Sequence, residues 1–294
     1  MNPSTPADYQ LEKRAIRRAF DQAASSYEAS AVLQDQVGQQ LIERLDLVKL
    51  EPQWILDLGS GTGLQSRRLN RRYPKARLLA VDLAVGMLQQ ARLRKSWRQR
   101  QYFCQGDAEH LPLATGSMDL LFANMSIQWC NDLDRVLREF ARVLRPGGLL
   151  MFSTLGPDTL SELRQSFARL DDQPHVIPFM DMHDIGDALV RQGYEMPVLD
   201  VEHFQLTYAA LEDLLRDLRS IGATNASVNR PRGLLTPRRL QILRDAYEQF
   251  RKDGYLPATY EVVYGHAWSS GPRPEIREDG AVTLPYPQMR RHIK

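Results

Sequence analysis

The chain has 294 residues, 43% of them apolar and 25% charged, the balance of a folded globular protein with room for a sizeable core. Its net charge of +2 averages an uneven distribution: residues 64–100 hold eleven basic side chains against Asp82 as their one acid, so that stretch carries +10 and the remainder −8. No apolar run approaches the roughly 18 residues of a membrane span. Cys104 and Cys130 are too few for a disulfide framework or a zinc cluster and read as packing residues. The first residues lack an apolar signal core, which leaves a soluble, cytoplasmic protein as the expectation. The basic run has two readings, solvated helix faces or a surface for an acidic macromolecular partner.

In chain order, Leu11, Ile16 and Phe20 alternate with Lys13-Arg14 and Arg17-Arg18 as on an amphipathic helix. Residues 53–58 form a short apolar run that ends at a glycine cluster, as a buried parallel strand does. Helix signals over 64–73, 84–95 and 133–144 then alternate with strand signals over 76–81, 101–105, 118–123 and 149–154. The third helix stops at Arg145-Pro146-Gly147-Gly148, a tight turn. This alternation predicts βαβ units and a doubly wound α/β sheet. Further on, the pattern predicts helices over 158–170, 181–192, 211–221 and 237–250, and strands over 198–207 and 258–268. The tail from residue 269 has no core pattern and is expected to be loosely ordered.

The segment most informative about chemistry is Asp57-Leu58-Gly59-Ser60-Gly61-Thr62-Gly63. Alternate glycines let a backbone turn tightly and approach a ligand, because a Cβ there would clash. The spacing differs from the dinucleotide fingerprint, and an acid ahead of the turn suits a cationic ligand better than pyrophosphate. Asp82 ends the second strand, where an acid can accept from both ribose hydroxyls, and Asp107 follows the third. Each acid alone is more commonly a helix cap. Three of them at successive strand ends behind a glycine turn favour a nucleoside-type ligand.

The runs 55–63, 106–108 and 143–148, with Asp82, resemble the class I S-adenosylmethionine-dependent methyltransferases. The resemblance implies a seven-stranded Rossmann-like sheet whose last strand, 258–268, is antiparallel. It also implies a cofactor-binding set of Asp57, Gly59, Ser60, Gly61, Gly63, Asp82, Leu83, Met87, Asp107, Ala108 and Asn124. Within that set the glycine turn meets the methionine moiety, Asp82 the ribose, Asp107 the adenine and Asn124 the amino-acid end. Residues 20–27, ending in Tyr27, resemble the N-terminal segment that closes over the cofactor.

Residues 126–133, 153–164, 218–225 and 256–262 resemble the malonyl-acyl-carrier-protein O-methyltransferase family of biotin synthesis. That resemblance implies methylation of the free carboxylate of a malonyl thioester on acyl carrier protein, an acidic partner. It divides the chain into a cofactor-closing segment (1–50), a cofactor-binding core (51–207), a helical lid (208–257), the last strand (258–268) and the tail (269–294). The lid arginines Arg216, Arg219, Arg230 and Arg232 are candidates to pair with the malonyl carboxylate or the phosphopantetheine phosphate. Tyr27 and Arg219 are the catalytic candidates, and Trp129 a pocket-lining one. No His pair stands at metal-ligand spacing, so no metal is expected. Alternatives are a small-molecule carboxyl or quinone methyltransferase, an arginine-hydroxylating relative of complex I assembly factors, and a non-catalytic interaction module. A nucleic-acid methyltransferase is disfavoured, because Asn124-Met125-Ser126-Ile127 stands where an amino-methyltransferase motif would follow the fourth strand.

Overall fold

A computed structural model describes residues 10–230, 233 and 236–271, together with the backbone of 275–276 and 282–283. Arg232 and most of the tail lie outside the described residues. Three helices come first: α1 (Lys13–Ala23), α2 (Tyr27–Ser30) and α3 (Val32–Glu43). The alternating core follows as β1 (Trp54–Leu58), α4 (Leu64–Arg72), β2 (Arg77–Asp82), α5 (Val85–Leu93), β3 (Gln101–Gln105), β4 (Met118–Asn124), α6 (Leu133–Val143) and β5 (Leu144–Leu155). The remainder is α7 (Ser161–Phe167), α8 (Met182–Arg191), β6 (Tyr194–Tyr208), α9 (Leu211–Ser220), α10 (Pro237–Glu248) and β7 (Leu256–Ser269).

Seven strands form one sheet in the order β3-β2-β1-β4-β5-β7-β6. The first five strands pair in parallel, and β7 runs antiparallel to both β5 and β6. This is the doubly wound seven-stranded α/β arrangement expected, with the last strand reversed. Strand order turns around at β1 and β4, the place where open α/β sheets bind ligands beyond their carboxyl ends.

The side-chain period of two assigns each strand residue to one of two layers. Ile55, Leu120 and Phe122 join α3, α7 and α9 on one face. Leu56, Leu121 and Ala123 join α6 and α8 on the other. Helix α6 shows why such helices form: Val136, Leu137, Phe140 and Val143 recur at helical spacing and are buried, while Asp132 accepts from Arg135 N at the cap. Strand β5 differs from expectation. Residues 145–148 do not close a turn ahead of it, because the ladder to β4 already begins at Met118 opposite Leu144 and resumes at Leu120 opposite Leu149 after a bulge.

The basic run meets its acids inside the molecule. Arg67 and Arg94 pair with Glu28, Arg68 with Asp35, and Arg72 with Asp46, all acids of the N-terminal segment. Further contacts of this segment lie near the strand ends. Lys13 reaches Asp107 at 3.0 Å and Glu109 at 2.8 Å, and Asp21 accepts from Gly86 N at 2.7 Å. The segment is stitched to the α9–α10 connection as well, through Glu12 N to Ala226 O and the Arg230–Glu12 ion pair.

Gly265 sits where β7 crosses the packed face of β5, and a Cβ there would lie 2.2 Å from the Phe152 ring and 2.7 Å from Leu199. Neither neighbour has room to yield, since Phe152 is fully buried. Gly265→Ala is expected to destabilise the fold by about 1–3 kcal/mol through overpacking, read as a lower urea midpoint at unchanged slope.

Candidate active site

The cleft opens beyond the carboxyl ends of β1, β2, β3 and β4, and encloses about 1380 Å³ of empty space, part of it open to solvent. Its first wall is the turn after β1. Gly59, Gly61 and Gly63 all adopt left-handed backbone, with φ of +65°, +53° and +81°. The turn is pinned by Gly59 N and Ser60 N donating to Val81 O, and by Gly61 N donating to Asp82 at 2.8 Å. Asp82 also accepts from Ala84 N at 2.8 Å. Each of its oxygens keeps a further lone pair for a ligand.

Burial pushes the Asp82 carboxyl up to about 6, the N–H groups of Ala84 and Gly61 pulling the other way. Burial likewise pushes Asp57 up to about 7, against the Ser66 hydroxyl that donates to it and with the charge of Asp82 adding to the rise. Lys13 shows the converse balance. Its burial works to lower the ammonium, but Cys130, Glu109 and Asp107 outweigh that and hold it above its ordinary value.

The expected cofactor residues divide into two groups. Gly59, Gly61, Asp82, Leu83, Met87, Asp107, Ala108 and Asn124 line the cleft. Asp57, Ser60 and Gly63 stand behind its wall: Asp57 turns to Ser66 on α4, and a Cβ on Gly63 would press on Ala91 at 3.0 Å. Asn124 is held from both sides, donating to Gln34 O at 2.9 Å and accepting from the Ser153 hydroxyl at 2.8 Å. Two buried hydroxyls at the glycine turn, Ser60 Oγ and Ser126 Oγ, have no hydrogen-bond partner. Such orphans, beside a carboxylate with spare lone pairs and a glycine turn, suit a polar nucleoside ligand.

The roof and far end were legible only in part. Tyr27 lines the cleft over Gly61, with a ring carbon 3.9 Å from where a Gly61 Cβ would stand. Burial and the Asp82 charge push its phenol well above the ordinary range, so the hydroxyl keeps its proton. Trp129 lines the cleft edge-to-face against Phe20, ring centroids 5.3 Å apart. Cys130, read from sequence as packing alone, also reaches the cleft. Met125 and Leu160, non-glycine residues with φ of 48° and 53°, mark strained backbone on the same wall.

The described lid arginines, Arg216, Arg219 and Arg230, do not line the cleft. Arg216 and Arg219 are exposed on α9, Arg216 pairing with Asp213 at 2.8 Å, and Arg230 is taken by Glu12. Helix α9 turns Leu218 inward instead. Sequence reasoning missed the residues that do build the far end. These are Leu160 and Leu163 of α7, the 175–179 loop with His175, Val176, Ile177 and Phe179, and Tyr260 of β7. His175 Nε2 lies 2.8 Å from Asp171, and its ring stacks on Phe167 at 4.1 Å. No spacing rule could have found this pair, because loop residues carry no periodic signal. A separate group, Asp158, His203 and Glu261, clusters where Asp158, past the end of β5, meets the paired residues His203 of β6 and Glu261 of β7.

A sheet of this order with acids and a glycine turn at its carboxyl edge defines a nucleoside-cofactor enzyme, and residues 56–152 match the methyltransferase domain family. The YcgJ protein of Bacillus subtilis shares the fold, with a TM-score of 0.56 at 14% identity over 79% of this chain and 98% of that one. A malonyl-[acyl-carrier protein] O-methyltransferase of Gallionella capsiferriformans is 48% identical over 283 residues, 94% of this chain and 97% of that one. One of Methylovorus is 52% identical over 266 residues, 88% and 90% of the two chains. The chain belongs to the malonyl-[acyl-carrier protein] O-methyltransferase family. That membership does not favour the small-molecule or arginine-hydroxylating alternatives.

Glu28 ties the roof to the floor: it accepts from the Thr62 hydroxyl at 2.6 Å and from Arg67 at 3.0 Å. A partly exposed pair of this kind contributes about 0.2–1 kcal/mol. Glu28→Ala is therefore expected to speed amide exchange in residues 27–31 up to about fivefold, with exchange in β1 and β4 unchanged.

Proposed function

We propose that the protein transfers the methyl group of S-adenosylmethionine to the free carboxylate of a malonyl group on acyl carrier protein, forming the methyl ester that primes pimeloyl synthesis for biotin. The observation that carries this reading is the two-part cleft: a polar, acid-lined half at the glycine turn and an apolar half under α7 and α9. Asp82, Asp107 and Asn124 would hold the ribose, adenine and amino-acid ends of the cofactor, with Leu83 and Met87 packing between them. Ser126 Oγ, which lines the cleft, gives that ligand a buried donor. When bound, S-adenosylmethionine supplies an electrophilic methyl group, transferred as the O–CH₃ bond forms and the C–S bond breaks with its electron pair left on sulfur.

The chain's own residues need move no proton. A carboxylate with a pKa of about 4 arrives ionised at neutral pH. The work left to the protein is to align one oxygen with the methyl and to exclude water, which Leu160, Leu163, Leu218 and Phe179 do at the far end. Tyr27 covers the cofactor half of the cleft from the roof, with Trp129 lining the cleft as well. The lid expected over 208–257 takes in α9 and α10. Arg219, exposed on its outer face, faces the acidic body of the carrier rather than the malonyl group.

Labelled S-adenosylmethionine incubated with malonyl-carrier protein, malonyl-coenzyme A and free malonate tests the assignment. Turnover is expected to be fastest on the carrier. Absence of transfer to all three, with the cofactor bound, would overturn it.

Asp82 sets a second expectation. Burial favours its neutral form, whereas ribose hydroxyls need an ionised acceptor. Cofactor affinity should therefore rise with pH from 5 to 7, with a midpoint near the group's value of about 6. Asp82→Asn should weaken binding about 10–100-fold and abolish that pH dependence, as calorimetric titration would show.

A further inference from the structure

We propose that His175, held by Asp171, is the residue that recognises the acceptor's carboxylate. This inference rests on the carboxyl-methylation reading and deepens it. Recognition of a malonyl group by its charge calls for a basic side chain in the cleft. Among the described residues, the basic side chains that line the cleft are Lys13 and His175. Lys13 is committed to Asp107 and Glu109 at the cofactor end. That leaves the imidazole, which stands among Leu163, Val176, Ile177 and Phe179.

The ring is fixed as a recognition group needs to be. Its Nε2 is taken by Asp171 at 2.8 Å, and its face lies nearly parallel to Phe167, 6° between planes. Asp171 is itself anchored, accepting from Gln173 N at 3.0 Å and pairing with Arg239 of α10. Burial works to raise the Asp171 carboxyl, but Gln173, His175 and Arg239 outweigh it and keep the group ionised below its ordinary value. The loop is tied to the lid by Asn225 Nδ2 donating to Pro174 O. With Nε2 committed, Nδ1 is the nitrogen left for a ligand, and it makes no hydrogen bond among the described residues.

A carboxylate at Nδ1 would place the ring between two carboxylates. The geometry suits the chemistry better than a guanidinium would. An arginine grips both carboxylate oxygens through parallel N–H bonds and dulls both as nucleophiles. A single imidazole N–H holds one oxygen and leaves the other free to attack.

The test compares wild type, His175→Gln and Asp171→Asn with malonyl-carrier protein as acceptor. Binding of malonyl-carrier and of its methyl ester is measured separately with S-adenosylhomocysteine in place of the cofactor. Wild type should bind the acid more tightly than the ester. In His175→Gln the KM for malonyl-carrier should rise about 10–100-fold and the preference for acid over ester should vanish, with S-adenosylmethionine affinity unchanged. Asp171→Asn should move the same two quantities in the same direction by less. Wild-type KM and acid preference in His175→Gln would overturn the proposal, as would a parallel loss of cofactor affinity, which marks a structural role. A wild-type enzyme that methylates no malonyl acceptor would overturn instead the functional reading on which this one stands.

Discussion

The site depends on keeping carboxylates ionisable where water is scarce. Asp57 and Asp82 end adjacent parallel strands, and burial lifts both well above the ordinary range for aspartate. A lone buried charge at such a place is costly, so the chain surrounds it with donors. Gly61 N and Ala84 N serve Asp82, and the Ser66 hydroxyl serves Asp57. Only left-handed backbone at Gly61 turns its N–H back toward the strand end, and this fixes the glycine turn as firmly as any ligand contact does.

The same demand for counter-charge builds the roof. The +10 stretch and the acidic remainder of the chain meet each other at Glu28, Asp35 and Asp46. Four of the eleven basic residues in a pattern that looks like an anion-binding surface, Arg67, Arg68, Arg72 and Arg94, belong to this internal seam. Each pair is modest, being partly exposed, but several of them anchor one short segment over the cleft. Glu28 bonds to Thr62 inside the glycine turn, so the roof is tied directly to that turn.

What the sequence made legible follows the range of the interactions. Alternating strand and helix signals, and acids at successive strand ends, are local patterns, so the doubly wound α/β class and the strand-end positions of Asp82 and Asp107 could be read from them. Lys13 with Asp107 joins residues 94 apart, and Arg230 with Glu12 joins residues 218 apart. Nothing in local periodicity points to such partners. Helix α9 misled for another reason: its arginines looked available, but its apolar residues, Leu211 and Leu214, claim the buried face and leave Arg216 and Arg219 outside. His175 sits in an irregular loop between helices, where only the fold shows what it faces.

Carboxyl methylation sets two demands in opposition. The acceptor must be recognised by its charge, yet the charge must stay reactive. Exposed arginines on α9 and an enclosed apolar chamber resolve this by separation. Charge outside the cleft can attract an acidic carrier at long range, where water screens it and no reacting oxygen is touched. Inside, with Leu160, Leu163 and Phe179 excluding water, one anchored N–H suffices, because each hydrogen bond gains strength as the dielectric falls. A second strong donor there would tighten binding of the acid in the ground state more than in the transition state, where its charge is being lost to the ester. Binding spent on the ground state in that way slows the transfer.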